Sequence, residues 1–183
     1  LEDFLGENDP VVMQCLKERN VQSFIMRRYF PVKLLARVAF GDKPISVLDI
    51  GSSLNLGLQA VAEDNDGDQL PGFKLNNIPK ELYKGKVNIS RGLGIDLYDP
   101  DIDWVSACIW PDHTGERTLI RKAYSELDGK NPNIKFSKMS ALDLINHPEL
   151  YGKFDVIVAS GMIYQLSSQQ EKDLLDGIAK VAN

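Results

Sequence analysis

The sequence predicts an α/β fold in which helices cover both faces of a parallel sheet. Its strongest apolar runs, ISVLDI at residues 45–50 and FDVIVA at residues 154–159, are nearly continuous rather than alternating, as expected of strands buried on both faces. Helical patterns separate the runs, and this order of elements gives right-handed crossovers between parallel strands. A chain of 183 residues that is 43% hydrophobic can bury one core and is expected to form one such domain.

The net charge indicates which classes of binding partner to expect, and the cysteine content indicates which cellular compartment to expect. A net charge of -5 provides no basic surplus to attract phosphates, which argues against nonspecific binding to nucleic acid or anionic membranes. Cys15 and Cys108 stand in no CxxC or Cys/His pattern, so neither a disulfide framework nor a zinc site is expected. The sequence shows no signal-peptide pattern and no run of roughly 20 apolar residues. We therefore expect a cytoplasmic protein that acts on a small molecule.

Residues 1–43 are predicted to form a helical segment ahead of the sheet. Asp9 and Pro10 make an N-cap and first-turn pair for a first helix, since Asp caps helices well and Pro is favoured at the first position. A second helical pattern covers residues 21–40, with a break or a fresh start at Pro31. The inward face predicted for this second helix consists of Leu34, Leu35 and Val38.

The first strand, Ile45–Ile50, runs into a loop that suits a ligand. Gly51 permits positive φ and lets another molecule approach the backbone. If a helix follows over residues 54–62, its unpaired N–H groups point back at this loop and favour an anionic or oxygen-rich ligand. Asp49, next to the loop, would accept hydrogen bonds from a ligand or from the loop itself.

The next segment, residues 63–90, is interpreted as an insertion. Its acids invite a comparison with a calcium-binding EF-hand loop, in which the first and twelfth positions must carry oxygen ligands. Here those positions would fall on Ala62 and Phe73. A solvated loop is therefore predicted, and no metal site.

A second strand ends at Asp96, inside GLGIDLYDP. An acid at the end of the second parallel strand can accept hydrogen bonds from both ribose hydroxyls of a nucleotide. Asp96 lies 47 positions after Asp49, instead of the usual spacing of about 20, and the insertion has to account for the difference. The alternative is that Asp96 caps a turn. The glycines at 92 and 94 are assigned no phosphate role.

Two helices are predicted next, one over residues 104–110 and one that begins near Thr114. Asp103 is expected to cap the first and Thr114 the second. The buried stripe predicted for the second helix consists of Leu119, Ile120, Ala123 and Leu127, which follow helical spacing.

The third and fourth strands are predicted at Ile134–Met139 and Phe154–Ala159. Ser140 follows the third strand and fits a capping box with Asp143, and Ser160 follows the fourth. A final helix is expected to start at Ser167 with Gln170 as its capping partner and to bury three apolar residues, Leu174, Leu175 and Ile178.

Several charged or polar residues are candidates for contact with a substrate. His113 and Arg117 lie at the start of a predicted helix, and Tyr164 follows the fourth strand. Arg27 and Arg28 could also line a site, although charged pairs on helices are more often a solvated face. A capping or solvated histidine is likewise the commoner explanation for His113. No catalytic residue is identified.

The motifs VLDIGSS, GIDLYDP, KMSALDL and FDVIVASGMIYQL together resemble the ordered series of class I S-adenosylmethionine-dependent methyltransferases, which have a Rossmann-like parallel sheet. The resemblance implies that S-adenosylmethionine is the cofactor and extends over about residues 44–166. It implies that Gly51 and Ser53 approach the methionine part, Asp96 the ribose, and Ser140 with Ala141 the adenine. Ser160 would face the reacting methyl group.

The block from residue 94 to residue 117 is also similar to a family of uncharacterised bacterial Rossmann-like proteins. The shared features are GxDL, a Trp-Pro pair followed by an acid and a Glu-Arg pair, and a loop rich in Leu-Asn-Leu. No reaction is implied by this second resemblance.

Three departures from the methyltransferase pattern keep alternatives open. Ser53 replaces the usual second glycine, Ser140 stands where an acid commonly contacts adenine, and four strands are evident where the family has seven. We therefore expect residues 44–183 to hold a sheet whose C-terminal part is missing, or whose edge a homo-oligomeric partner covers. The alternative functions are a noncatalytic binding or assembly module and an NAD-binding oxidoreductase.

Overall fold

The structure, a computed structural model, describes residues 24–63 and 84–183, together with residues 10, 14, 17, 18, 22 and 79. Its centre is a sheet of four parallel strands: β1 (Ile45–Ile50), β2 (Ile89–Asp96), β3 (Ile134–Lys138) and β4 (Val156–Val158). The strand order is β3-β2-β1-β4. The prediction of a Rossmann-like parallel sheet with flanking helices is confirmed.

β1 is a central strand, and its two faces pack into different cores. Ile45 and Val47 belong to one cluster of buried residues, whereas Leu48 and Ile50 belong to another on the opposite face. Because helices cover both faces, nearly every residue of the strand has to be apolar. This burial explains the continuous apolar run, in which Asp49 is the one charged residue.

The winding of the chain reverses beside β1. β2 and β3 lie on one side of β1, and β4 lies on the other side. The carboxyl ends of β1 and β4 therefore flank a topological switch point, which is where open α/β sheets bind ligands. We refer to the space at this point as the switch-point crevice.

Helices of the described residues cover the sheet on both faces. They are α1 (Phe30–Phe40), α2 (Gly57–Ala62), α3 (Ile102–Ala107), α4 (Thr114–Leu127) and α5 (Ser168–Val181). Short 3₁₀ helices join them, at Met26–Tyr29, Ala141–Asn146, Pro148–Leu150 and Ile163–Gln165. The predicted capping box at the start of α5 is present, with Ser167 and Gln170 exchanging side-chain and backbone hydrogen bonds.

The predicted inward face of α1 is wrong for two of its three residues, whereas Leu34 is half-buried. Leu35 and Val38 are 66% and 60% exposed. The helix starts afresh at Phe30, with Pro31 in its first turn, and it packs on the sheet with a face rotated away from the predicted one. The residues buried instead are Phe30, Lys33 and Ala36.

Other details of the helices also differ from the prediction. Asp101, rather than Asp103, caps α3, since its Oδ1 accepts the Trp104 backbone N–H at 2.9 Å. Leu119 in α4 and Leu175 in α5 are 54% and 52% exposed. The predicted burial of Ile120 and Leu127 in α4 and of Leu174 in α5 is confirmed, and a step of one residue from Ile120 or Leu174 rotates the side chain by about 100° around the helix, away from the core.

β2 begins earlier than predicted, inside the segment assigned to an insertion. Ile89 pairs with Ile45 across the sheet, and Val87 is already buried. The acidic stretch at 64–73, on which the calcium alternative depended, lies outside the described residues. Most of the predicted first helix, near residues 9–18, does so as well.

The outer edge of β4 borders an apolar groove of about 360 Å³. Side chains of α1 form one wall, and Val156–Ser160 form the other. In the described part of the chain, β1 is the one strand that pairs with β4, apart from a parallel bridge between Phe154 and Ala182. Cover of this edge by a further segment or a second subunit stays a prediction. None of the described helices combines the length and apolarity needed to cross a bilayer.

Candidate functional site

The loop after β1 adopts a backbone that few side chains tolerate. Gly51, Ser53 and Asn55 have φ values of 73°, 51° and 55°, in the left-handed region that favours glycine. Backbone hydrogen bonds fix the loop on β2, since the N–H groups of Gly51 and Ser52 both donate to the Ile95 carbonyl, at 2.9 and 3.1 Å. The loop is therefore held rigidly at the switch-point crevice.

Asp96 lies at the end of β2 and contacts this loop directly. Its Oδ2 accepts the Ser53 backbone N–H at 2.8 Å, and its Oδ1 accepts the Leu97 N–H at 2.7 Å. Asp96 thus caps the turn, as the alternative interpretation proposed. Each carboxylate oxygen keeps a second lone pair, so the half-buried side chain can still accept two further hydrogen bonds from a ligand.

Gly94 has a packing role in the same region. A Cβ at this position would overlap the Asn55 side chain and approach the Oγ of Ser52 to 2.7 Å. Ser52 is fully buried and has no room to retreat. The glycine therefore lets the loop after β1 lie directly on β2.

Buried polar atoms of the loop have no hydrogen-bond partner in the described part of the chain. They are Oγ of Ser52, Oγ of Ser53 and Oδ1 of Asn55. Buried polar groups are usually satisfied by protein, water or a ligand. Three such groups therefore lie together in the loop after β1.

Asp49 lies beneath the loop and is 1% exposed. Its Oδ2 accepts a hydrogen bond of 2.7 Å from the hydroxyl of Tyr29. Burial raises the pKa of Asp49 to about 7, although the Tyr29 hydrogen bond and the charge of Arg28 act in the opposite direction. The burial favours a supporting role for Asp49, and direct contact with a ligand stays a prediction.

The titration of Asp49 should make stability depend on pH. The folded pKa of about 7 exceeds the ordinary value of 3.8, so the native state binds more protons than the unfolded state between roughly pH 4 and 7. Stability from this residue is thus lost as the pH rises, by about 4 kcal/mol in all at 1.36 kcal/mol per pKa unit, of which roughly 2.5 kcal/mol is lost between pH 5 and pH 8. Denaturant unfolding of the wild type and of Asp49→Asn at pH 5 and pH 8 measures it.

As the pH rises from 5 to 8, we expect the free energy of unfolding of the wild type to fall relative to that of Asp49→Asn. The amide keeps the shape of the side chain and an oxygen that accepts from Tyr29, but it does not ionise. The same free-energy difference between the two proteins at both pH values would contradict the raised pKa.

Arg28 reaches into the switch-point crevice from the 3₁₀ helix Met26–Tyr29. Its Nη2 donates to the carbonyl of Gly51 at 3.0 Å, and its Nη1 donates to the carbonyl of Ser160 at 3.1 Å. Nη2 also donates to the Tyr29 hydroxyl at 3.0 Å, which in turn donates to Asp49. Arg28 therefore connects the loops after β1 and β4.

The loops after β3 and β4 supply the other predicted cofactor residues. Ser140 follows β3, and its side chain accepts the Leu142 backbone N–H at 3.2 Å, with Ala141 as the first residue of the next 3₁₀ helix. The backbone at Ser160 faces Arg28. Met162 lies over Gly51, since a Cβ at Gly51 would be 3.5 Å from the Met162 side chain.

The residues predicted to contact substrate lie at the start of α4 or are exposed on the surface. His113 precedes α4 and lies 3.6 Å from Glu116, and Arg117 donates to the Ile109 carbonyl at 3.0 Å. These contacts tie both residues to α4 and the preceding turn. Tyr164 is 79% exposed. Their role in substrate binding stays a prediction.

In the ranges that the structure describes, no three His, Cys, Asp or Glu side chains are grouped so that they could hold a metal ion.

The strand order, the loop after β1 and the acid at the end of β2 define a Rossmann-like α/β protein with a crevice at the switch point of its sheet. The chain belongs to DUF2332, a family described as uncharacterised protein conserved in bacteria, which matches residues 1–183. Comparisons with curated proteins and with solved structures returned no match.

Proposed function

We propose that this protein binds S-adenosylmethionine in the switch-point crevice and transfers its methyl group to a small-molecule acceptor. The observation that carries the proposal is the contact between the loop after β1 and the acid at the end of β2, with 2.8 Å between Ser53 N and Asp96 Oδ2. A nucleoside in this crevice would meet the loop backbone and the carboxylate together.

The residues present fit such a cofactor in three respects. Asp96 retains lone pairs for the two ribose hydroxyls. Gly51, at φ 73°, allows the sharp turn after β1, and the unpartnered hydroxyl of Ser53 supplies a polar group in the same loop. Ser140 and Ala141, at the carboxyl end of β3, would border the adenine.

When bound, S-adenosylmethionine supplies an electrophilic methyl group on a sulfonium. The protein contributes mainly position, because displacement of a methyl group by a substrate nucleophile requires alignment and exclusion of water. Asp96 fixes the ribose, and the rigid loop after β1 fixes the other end of the crevice. The acceptor would lie near Ser160, whose backbone borders the same crevice.

An NAD-dependent function has weaker support. Dinucleotide-binding loops use GxGxxG, in which the second glycine lets the backbone approach the pyrophosphate. Here the loop reads GSSLNLG, so Ser53 replaces that glycine. A noncatalytic binding module would use the same crevice and is distinguished by ligand binding without turnover.

Thermal unfolding with added ligands tests the proposal. A ligand that binds only the native state at one hundred times its Kd stabilises it by about 2.7 kcal/mol. For a chain of this size, this amounts to a rise in Tm of roughly 5–10 °C. We expect that rise with S-adenosylmethionine and S-adenosylhomocysteine, but not with NAD. A rise with NAD alone, or with none of the three, would refute the proposed cofactor.

A further inference from the structure

The two loops that flank the switch-point crevice are attached to the rest of the protein to different degrees. The loop after β1 is buried, since Ser52, Ser53 and Leu54 are at most 6% exposed, and hydrogen bonds tie it to the end of β2. The loop after β4, residues 160–166, lies on the surface, and its Tyr164 is 79% exposed. A segment with few buried contacts opens at a lower free-energy cost than a buried one. One wall of the crevice is therefore fixed, whereas the other can move.

Two side chains hold residues 160–166 against the fixed wall. Arg28 donates from Nη1 to the Ser160 carbonyl at 3.1 Å and from Nη2 to the Gly51 carbonyl at 3.0 Å. Met162 lies over Gly51, where an added Cβ would be 3.5 Å from the methionine side chain. Protein atoms therefore bridge the space between the two loops at the level of Gly51.

The hydrogen bonds of Arg28 are made to groups of the protein itself. Both hydrogens of its Nη2 donate, one to the Gly51 carbonyl and one to the Tyr29 hydroxyl, and its Nε is buried. Tyr29 anchors this arrangement, because its ring is 2% exposed and packs directly on Gly57. Arg28 therefore ties the 3₁₀ helix at Met26–Tyr29 to both loops of the crevice.

Gly161 provides a pivot next to this tie. It is exposed and has a φ of 82°, in the region that favours glycine. A Cβ at Gly161 would come within 3.0 Å of Nη1 of Arg28, so the guanidinium lies directly against the backbone there. Lids turn at a few loop residues that absorb changes in φ and ψ. The loop after β4 can therefore turn at Gly161 once the hydrogen bond between Arg28 and Ser160 breaks.

We propose that residues 160–166 form a lid over the switch-point crevice, that Arg28 holds this lid shut, and that a ligand enters only when the contact between Arg28 and Ser160 breaks. The lid goes beyond the proposed function, since it limits access for any ligand of the crevice. Only the open fraction of molecules binds, so the apparent Kd equals the intrinsic Kd divided by that fraction. Removal of Arg28 should therefore strengthen binding, whereas removal of a residue that contacts the ligand would weaken it.

Arg28→Met removes the tie and keeps an apolar side chain of similar length. The carbonyls of Gly51 and Ser160 then lose their donor and have to be satisfied by water, which favours the open lid. Arg37→Met is the matched control, because Arg37 also donates to a distant backbone carbonyl, that of Lys86 at 2.9 Å, at the amino end of β2 and away from the crevice. Thermal unfolding without ligand shows that each variant is folded.

Oxidation of Met162 by dilute peroxide, followed by mass spectrometry, reports opening of the lid without any ligand. An exposed thioether is oxidised to the sulfoxide more readily than a buried one, and Met162 is half-buried where it lies over Gly51. We expect Met162 to be oxidised severalfold faster in Arg28→Met than in the wild type or Arg37→Met. Met139, which is half-buried after β3, should react alike in all three proteins. Equal rates at Met162 in the three proteins would overturn the lid.

Calorimetric titration of the same three proteins with S-adenosylhomocysteine tests whether the lid limits entry. We expect Arg28→Met to bind about tenfold more tightly than the wild type and Arg37→Met, a ratio that corresponds to about 1.4 kcal/mol in favour of the closed state. Unchanged or weaker binding by Arg28→Met would overturn the proposal that the lid limits entry and leave the proposed function intact. Faster oxidation of Met162 in Arg28→Met, with no binding of the ligand to any of the three proteins, would uphold the lid and refute the proposed cofactor.

Discussion

Replacing Asp96 with alanine should weaken binding of S-adenosylhomocysteine by about two to four orders of magnitude. The expected loss corresponds to two charge-assisted hydrogen bonds to the ribose, each worth about 1.5–3 kcal/mol. The carboxylate also accepts the N–H groups of Ser53 and Leu97, so the variant should unfold more easily by about 2–4 kcal/mol. Calorimetric titration well below the variant's Tm separates affinity from stability.

Asp155→Ala is the matched control for this experiment. Asp155 also accepts a backbone N–H, from Ser46 at 2.7 Å, together with the Ser46 hydroxyl at 2.6 Å. It directly precedes β4 and therefore lies at the amino ends of the parallel strands, whereas the crevice lies at their carboxyl ends. We expect this variant to lose stability but keep its affinity. If Asp96→Ala bound the ligand as tightly as the control, Asp96 would only cap the turn.

Gly57→Ala is expected to be the most destabilising single-methyl change in the described part of the chain. A Cβ at Gly57 would lie inside the ring of Tyr29, which is 2% exposed and has no space to move. The ring would have to leave its site and break its hydrogen bond to Asp49. Overpacking costs about 1–3 kcal/mol, and a buried acceptor without a partner costs about 1–3 kcal/mol more.

The sum, about 2–6 kcal/mol, predicts a fall in Tm of roughly 4–24 °C, at about 2–4 °C per kcal/mol for a chain of this size. Differential scanning calorimetry measures it. Gly115→Ala is the control, since a Cβ at Gly115 meets nothing within 4 Å and alanine favours the helix. A Tm for Gly57→Ala within a degree or two of that control would show that Tyr29 is not held against α2.

The sheet and part of the crevice follow from local sequence patterns. The apolar run at residues 45–50 indicates a strand buried on both faces, and the Ser167–Gln170 pair indicates the start of α5. Such signals depend on neighbours in the chain, so they can be recognised without a structure. The contact between Ser53 and Asp96 follows from parallel strand order, because carboxyl ends of parallel strands meet at one edge.

The contacts of Arg28 depend on distant parts of the chain, so local reasoning names this residue only as the less favoured candidate for lining a site. Its acceptors, Gly51 and Ser160, lie 23 and 132 positions away. From sequence, an arginine beside another arginine resembles a solvated helix face. The packing role of Gly94 was hidden for the same reason, since the side chains that require it belong to the loop after β1.

The predicted buried faces of the helices were partly wrong, because hydrophobic spacing alone does not fix how a helix is rotated on the sheet. Leu35 and Val38 have the spacing of an inward stripe, but α1 begins at Phe30 and turns Lys33 toward the interior instead. Lys33 is accommodated because its ammonium group donates to the Glu63 carbonyl at 2.9 Å. A buried lysine with a backbone acceptor has no signature in composition or periodicity.

Amide hydrogen exchange with and without S-adenosylhomocysteine tests the central claim most directly, because it reports where the ligand binds as well as whether it binds. The switch-point crevice predicts slower exchange in the loop at residues 51–57, at Leu97 after β2 and in residues 139–142 after β3. It also predicts that Asp96→Ala abolishes this protection. Protection confined to other elements, or no change at ligand concentrations in the millimolar range, would contradict a nucleoside site built from the loop after β1 and Asp96.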